Sequence, residues 1–287
     1  MISNSQIKIA FFGNSEFSLI ALKELKKLGI IPELIVTTRD KPQGRKMILT
    51  PTVTKTWAEE NGIECIEPIK LKDESFINKI KNYNLFIVAS YGKIISKEII
   101  DIPRYKVLNI HPSLLPKYRG PSPLQEQILN DEEKIGVSIM LIDEQIDHGD
   151  IIVQKQVNID GWPVGFAKLQ DILASEGSKL LAEVLPDWIR GKIPAQKQDD
   201  SKATFTKKVE KSDSLIDLNN DAYKNYLKIL AYEEWPKTYF NIEKNNQKFR
   251  VIIKKATFEN GELKIQTVIP EGKKEMKYED FLRGFGK

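Results

Sequence analysis

Apolar residues in this chain come in short continuous runs, separated by stretches where they recur every third or fourth position. The first run, IKIAFF at 7–12, stops at Gly13. Phe17, Ile20, Ala21, Leu25 and Leu28 then fall at helical steps, with Gly29 just beyond the last turn. The run ELIVTT at 33–38 is continuous again. Strand, helix and strand in about thirty residues make a βαβ unit, which implies a parallel sheet. Further strands are predicted at 85–89 (LFIVA), 107–111 (VLNIH), 136–142 (GVSIMLI) and 151–153 (IIV). A helix over 53–61 is stopped by Gly62. A long amphipathic helix starts at Phe166, and Pro186 is expected to kink or end it.

Two stretches break this rhythm. Residues 39–52, RDKPQGRKMILTPT, read as a long basic loop. Residues 195–205, AQKQDDSKATF, are polar and read as a linker. Beyond the linker a short helix at 221–231 precedes Trp235-Pro236. Alternating segments follow at 238–242, 249–253 and 263–268, a spacing that suits a small antiparallel barrel or sandwich. The predicted organisation is a Rossmann-like α/β domain with a mostly parallel sheet over 1–194, a linker over 195–205 and a small β-barrel domain over 206–287. Residues 12–17, FGNSEF, lack G-x-G-x-x-G, so a dinucleotide site there is not expected.

Charge sharpens the division. The 44 basic and 40 acidic residues leave a net +4 over 287 residues. From Ser201 onward there are 18 Lys and Arg against 13 Asp and Glu, a net of +5; residues 1–200 hold 26 against 27, a net of −1. A basic third beside a neutral remainder suits an anionic partner, although a lysine-rich solvated surface gives the same balance. One cysteine, Cys65, cannot build a disulfide framework, and two histidines are too few for most zinc sites. No segment approaches the length that spans a bilayer, and a cytoplasmic monomer that needs no metal is expected.

The segment LNIHPSLLPKYRG at 108–120 carries the most chemistry. Strand alternation points Asn109 and His111 to one side and Leu108 and Ile110 to the other. Polar groups near the end of a parallel strand lie where open α/β sheets bind ligands, and Pro112 takes the chain out of the sheet. An amide and an imidazole on one face can both donate to a single oxygen, as an oxyanion site requires. The same spacing also suits an ordinary strand end facing water. An acidic turn with Asp143, Glu144, Asp147 and Asp150 follows the strand at 136–142; a carboxylate there can orient the His111 ring, and Gly149 permits close backbone approach. Acidic turns are usually just solvated.

With its flanking residues, NIHPSLLPKYRGPSP resembles the signature of the 10-formyltetrahydrofolate-dependent formyltransferases. The resemblance implies Asn109, His111 and Asp147 as the catalytic set, the last within Asp147-His148-Gly149-Asp150. It implies a pterin pocket lined by Ser90, Tyr91, Gly92, Lys93 and Ile94, by Ser113, Leu114, Leu115 and Pro116, and by Asp143. The formyl donor would be 10-formyltetrahydrofolate, with no metal. His148 is expected to be structural or on the surface. The opening FGNSEF resembles the family's F-x-G-T-P-E-F, with Asn14-Ser15 in place of Thr-Pro.

Two further features resemble the members of that family that act on methionyl-tRNA. One is the basic loop 39–52, whose Arg39, Lys41, Arg45 and Lys46 would engage the tRNA acceptor end, away from the strand end at 88–94; Lys55 stands one place later than the family pattern. The other is the C-terminal region, including Lys207 and Lys208, which resembles a tRNA-holding, OB-like domain. Sugar-nucleotide N-formyltransferases share the catalytic set, so an amino-sugar nucleotide is the alternative substrate. A non-catalytic RNA-binding protein on the same scaffold is the reading from another class; the intact Asn109, His111 and Asp147 argue against it.

Overall fold

The structure is a computed structural model that describes residues 7–43, 47–244 and 246–285. The chain separates into two compact units. The first comprises Met1–Pro121, Lys134–Asn158 and Gln170–Phe205, and the second Ser122–Glu133, Ile159–Leu169 and Thr206–Lys287.

The first unit is built on a seven-stranded sheet. Its strands are β1 (Ile9–Phe12), β2 (Leu34–Val36), β5 (Glu64–Ile66), β6 (Leu85–Val88), β7 (Val107–His111), β8 (Gly136–Leu141) and β9 (Ile151–Gln156), in the order β5-β2-β1-β6-β7-β8-β9. Pairing is parallel from β5 to β7, and β8 runs antiparallel to both of its neighbours. Helices α1 (Glu16–Lys27), α2 (Val53–Glu60), α3 (Glu74–Ile80) and α4 (Lys97–Ile100) join the parallel strands. The central strands are buried on both faces, so they read as continuous apolar runs. On one face Ala10, Phe12, Phe86, Val88 and Val107 pack with Phe76, Ile80 and Ile99. Each such Val, Ile or Phe side chain contributes about 1.5–3 kcal/mol. On the other face a Cβ placed on Gly177 would meet Ile110 Cγ2 at 2.5 Å, so helix α6 (Phe166–Ile189) lies hard against β7 there.

In the second unit, β10 (Tyr239–Lys244), β11 (Gln247–Glu259), β12 (Glu262–Pro270) and β13 (Met276–Lys277) form an antiparallel sheet in that order. Its inner residues Phe240, Val251, Ile253 and Val268 pack with Ile229 of α7 (Ala222–Ala231) and Phe281 of α8 (Tyr278–Phe285). Helix α5 (Pro123–Leu129) belongs here by contact, although it lies far upstream in sequence. Asp131, just past α5, accepts from Tyr223 Oη at 2.7 Å and Trp162 Nε1 at 2.9 Å.

Some elements differ from expectation. The loop 39–52 contains a hairpin, β3 (Lys41–Gln43) with β4 (Ile48–Thr50). Strand β5 and helices α3 and α5 are additional; each is too short to impose a clear period. Helix α6 runs past Pro186 to Ile189, so the proline does not end it. The polar stretch 195–205 is also not a free spacer. Gln196 pairs with Ile151 through two 2.8 Å backbone bonds, and Arg119 N donates to Thr204 O at 2.9 Å.

Candidate active site

Strand β7 positions the first two candidate residues. Val107 lies in the apolar cluster, so alternation carries Asn109 and His111 onto that same face, beyond its apolar part. Both are buried, at 8% and 4% exposure. Ile142 packs against the cluster and leads into the turn that carries Asp147. His111 Nδ1 and Asp147 Oδ1 come within 3.6 Å. That is longer than a direct hydrogen bond.

The other groups around this pair come from residues 118–120. His111 Nε2 lies 3.1 Å from the Tyr118 carbonyl, which can only accept, so the ring proton is fixed on Nε2. Nδ1 is then the nitrogen free to gain or lose a proton, and it faces Asp147. Gly120 N donates to Asp147 Oδ2 at 2.8 Å. Asp147 has φ 49°, in the left-handed region that a non-glycine residue occupies only at a cost. At Gly149 a Cβ would sit 2.0 Å from the Leu141 carbonyl, so only glycine lets the turn close against β8. Among the described residues, the Asn109 side-chain amide has no hydrogen-bond partner. A buried, unbonded amide beside a His–Asp pair is a donor held ready for a ligand oxygen.

The segment 90–94 leaves the end of β6, whose Val88 pairs with Phe12 on one side and Asn109 on the other. Ser90 has φ 50° and Gly92 φ 72°, and both are exposed. Ile94 is 80% exposed, while Tyr91 is buried with its hydroxyl unbonded. Asn14, the departure from the family pattern, donates to Tyr91 O at 2.7 Å and to Thr38 Oγ1 at 3.3 Å, so it ties together the turns after β1, β2 and β6. Ser15 caps α1.

Ser113 and Leu115 are buried. Ser113 Oγ donates to Lys117 O at 2.7 Å, and Leu115 N donates to Ser138 Oγ at 3.1 Å. Leu114 packs where a Cβ on Gly136 would lie. Pro116 O accepts from Thr204 N at 3.2 Å. Asp143 Oδ2 lies 2.5 Å from His148 Nδ1, which gives His148 a partner inside the turn.

Arg39, Lys41, Lys207 and Lys208 are exposed; Arg45 and Lys46 lie outside the described residues. Lys93 is held below the usual lysine range by burial and, next, by the charge of Lys41. Among the described residues no cluster of three or more His, Cys, Asp or Glu could hold a metal, and no helix is long and apolar enough to cross a membrane. A groove of about 690 Å³ in the second unit, lined by Ile216, Phe240, Tyr278 and Lys248 among others, contains none of these candidates.

Sequence reasoning missed Gln198. It is 5% exposed and donates to the carbonyls of Asp147 at 2.9 Å and Gly149 at 2.8 Å. Nothing in AQKQDDSKATF distinguishes it from a solvated glutamine. Arg119 and Gly120, by contrast, stood inside the signature segment.

Residues 7–185 match the formyl transferase family. The methionyl-tRNA formyltransferase of Campylobacter lari is 39% identical over 297 residues, covering 96% of this chain and 96% of its own length. That of Bacillus velezensis is 35% identical over 300 residues, covering 96% and 94%. The structure of methionyl-tRNA formyltransferase from Clostridium thermocellum matches with a TM-score of 0.60 at 20% identity, over 92% of this chain and 98% of that one. The N-formyltransferase from Helicobacter canadensis, in complex with folinic acid and dTDP-3-aminofucose, gives 0.64 at 20% identity over 89% of each chain. At such identities the two structures speak for the fold alone.

Proposed function

The chain belongs to the formyl transferase family, and from that premise we infer that it transfers the formyl group of 10-formyltetrahydrofolate to the amino group of methionyl-tRNA. The product would be the N-formylmethionyl-tRNA used to initiate translation in the cytoplasm. The observation that carries the chemistry is the unbonded Asn109 amide on the same buried face as His111, whose Nδ1 faces Asp147.

The folate supplies an activated formyl group whose oxygen gains negative charge as the amine adds. Asn109 donates to that oxygen, and the Nδ1–H of protonated His111 is shared between it and Asp147 Oδ1. Asp147 Oδ1 is left for His111 and the incoming amine, because Oδ2 is bound by Gly120 N. It takes the proton that the amine must lose; as the tetrahedral intermediate collapses, the bond between the formyl carbon and N10 of the folate breaks, and N10 takes up a proton as tetrahydrofolate leaves. We assign the pterin to the backbone of Ser90, Tyr91, Gly92, Lys93 and Ile94. The exposed backbone at Ser90 and Gly92, both with positive φ, suits a polar heterocycle. Ser113, Leu114, Leu115 and Pro116 form the wall beside it, and Asp143 closes it from the acidic turn.

The tRNA would be held by Arg39, Lys41, Arg45 and Lys46 and, in the second unit, by Lys207 and Lys208 on a domain we read as OB-like. The preference for methionyl-tRNA over an amino-sugar nucleotide rests on relatives of 33–39% identity. The deciding experiment incubates the protein with 10-formyltetrahydrofolate and either methionyl-tRNA or an amino-sugar nucleotide. Formyl transfer to methionyl-tRNA is expected; transfer to the sugar alone would overturn the substrate assignment.

A further inference from the structure

We propose that Gln198 is a positioning residue that holds Asp147 and His111 in register, an inference that rests on the proposed catalytic role of that pair. Every hydrogen-bonding capacity of its side chain is used. Its amide nitrogen donates to the carbonyls of Asp147 and Gly149, one on each side of His148. Its oxygen accepts from Arg119 Nε at 3.0 Å and Nη2 at 2.8 Å. The side chain cannot be turned over, because that would set donor against donor and acceptor against acceptor.

Arg119 is itself buried, at 3% exposure. Its backbone stands between the Tyr118 carbonyl that fixes His111 Nε2 and the Gly120 N–H that holds Asp147 Oδ2. One carboxamide therefore ties the turn that presents Asp147 to the segment that orients both members of the pair. Asp147 sits in the left-handed region, which persists only where the surroundings over-determine it. Gln198 supplies that constraint from a stretch that otherwise reads as a spacer.

The stretch is held independently of Gln198. Gln196 pairs with Ile151, Thr204 N donates to Pro116 O, and Arg119 Nη2 reaches Asp200 Oδ1 at 2.8 Å. Replacing Gln198 should leave it docked.

The test uses Gln198→Glu in the full chain. Glutamate still accepts from Arg119 but turns oxygen toward the two carbonyls, so the tie to Asp147 becomes a repulsion. A kcat for formyl transfer reduced about 10²-fold is expected, the scale of a small misplacement of reacting groups. KM for both substrates and the melting temperature should stay near wild type. The chain has two histidines, so the ring ¹⁵N signals of His111 can be followed directly, and they are expected to move. Ser201→Ala, on the same stretch but bonded only to Asp199, should change none of these readouts. A folded Gln198→Glu protein with wild-type kcat and unmoved His111 signals overturns the proposal. If that variant does not fold, Gln198→Ala and Gln198→Met take its place; activity that merely tracks the folded fraction in both also overturns it. The ring signals need no substrate, so a wrong substrate assignment leaves this arm of the test intact.

Discussion

Asp147 divides its two carboxylate oxygens between different tasks: Oδ2 accepts from Gly120 N at 2.8 Å, and Oδ1 faces His111 Nδ1 at 3.6 Å. The first contact is an anchor within the protein. The second is long enough to tighten or to be shared with an incoming amine. Charge at Oδ1 and shape at Oδ2 can therefore be separated by substitution.

Asp147→Asn keeps the shape and the bond from Gly120 but removes the charge facing His111. We expect kcat to fall about 10²–10³-fold, with a melting temperature close to wild type. His111→Ala and Asn109→Ala should each lose a similar factor through a missing donor. Single-turnover formyl transfer on proteins checked by circular dichroism measures this. Near-normal turnover in folded His111→Ala would remove the basis of the mechanism.

Gly149→Ala tests the backbone side of the same turn. Its Cβ would lie 2.0 Å from Leu141 O, a backbone atom that cannot step aside. A loss of about 1–3 kcal/mol is expected from overpacking, read by urea unfolding. Activity should fall further than stability alone explains, since Asp147 moves with the turn.

The parallel core was legible because strands buried on both faces need continuous apolar runs, as at 85–89 and 107–111. That Asn109 and His111 share one face of a strand was legible from alternation, whereas a role for them came only from the resemblance of their segment to the formyltransferase signature. The short elements β5, α3 and α5 were not legible, because three to seven residues are too few to establish a period. Gln198 was invisible for a deeper reason. A glutamine in a polar stretch looks solvated until the fold brings Arg119 and the Asp147 turn to it, and those partners lie 79 and 51 residues away.

Cys65 gives a prediction independent of the catalytic site. Burial, followed by the charge of Glu67, pushes its thiol up to about 12. The thiolate is the reactive form, so alkylation by iodoacetamide at pH 8 should be far slower than for a free thiol in solution. Denaturant should restore the ordinary rate. Fast labelling of the folded protein, followed by mass spectrometry, would contradict this.

The Arg119 guanidinium beside Asp200 holds that carboxyl below its usual range. A depressed folded-state value stabilises the protein above the unfolded value of 3.8, and the contribution is lost as pH falls through the lower folded value. Asp200→Asn should therefore melt slightly below wild type at neutral pH. The gap should begin to narrow as the pH falls below 3.8 and close below the lower folded value. Asp200 is exposed, so the effect is small. A gap that widened on acidification would reverse the assigned sign.

The basic hairpin supplies the last expectation. Arg39 and Lys41 are exposed, and the sequence places Arg45 and Lys46 in the same loop. If the loop serves tRNA, Arg45→Ala with Lys46→Ala should raise KM for methionyl-tRNA. It should also flatten the log–log dependence of kcat/KM on salt by about 0.7–0.9 for each phosphate contact removed. The charge of Lys41 helps to hold Lys93, on the proposed folate segment, below the usual lysine range. Lys41→Ala is then expected to touch both substrates, whereas the double variant should spare folate affinity. If Arg45 pairs with a base as well as a phosphate, discrimination between initiator and elongator tRNA should fall by about 1–3 kcal/mol. Steady-state kinetics of both variants across a salt series, with folate binding measured separately, distinguishes these cases. Unchanged tRNA kinetics with a large loss of folate binding in the double variant would assign the loop to the folate instead.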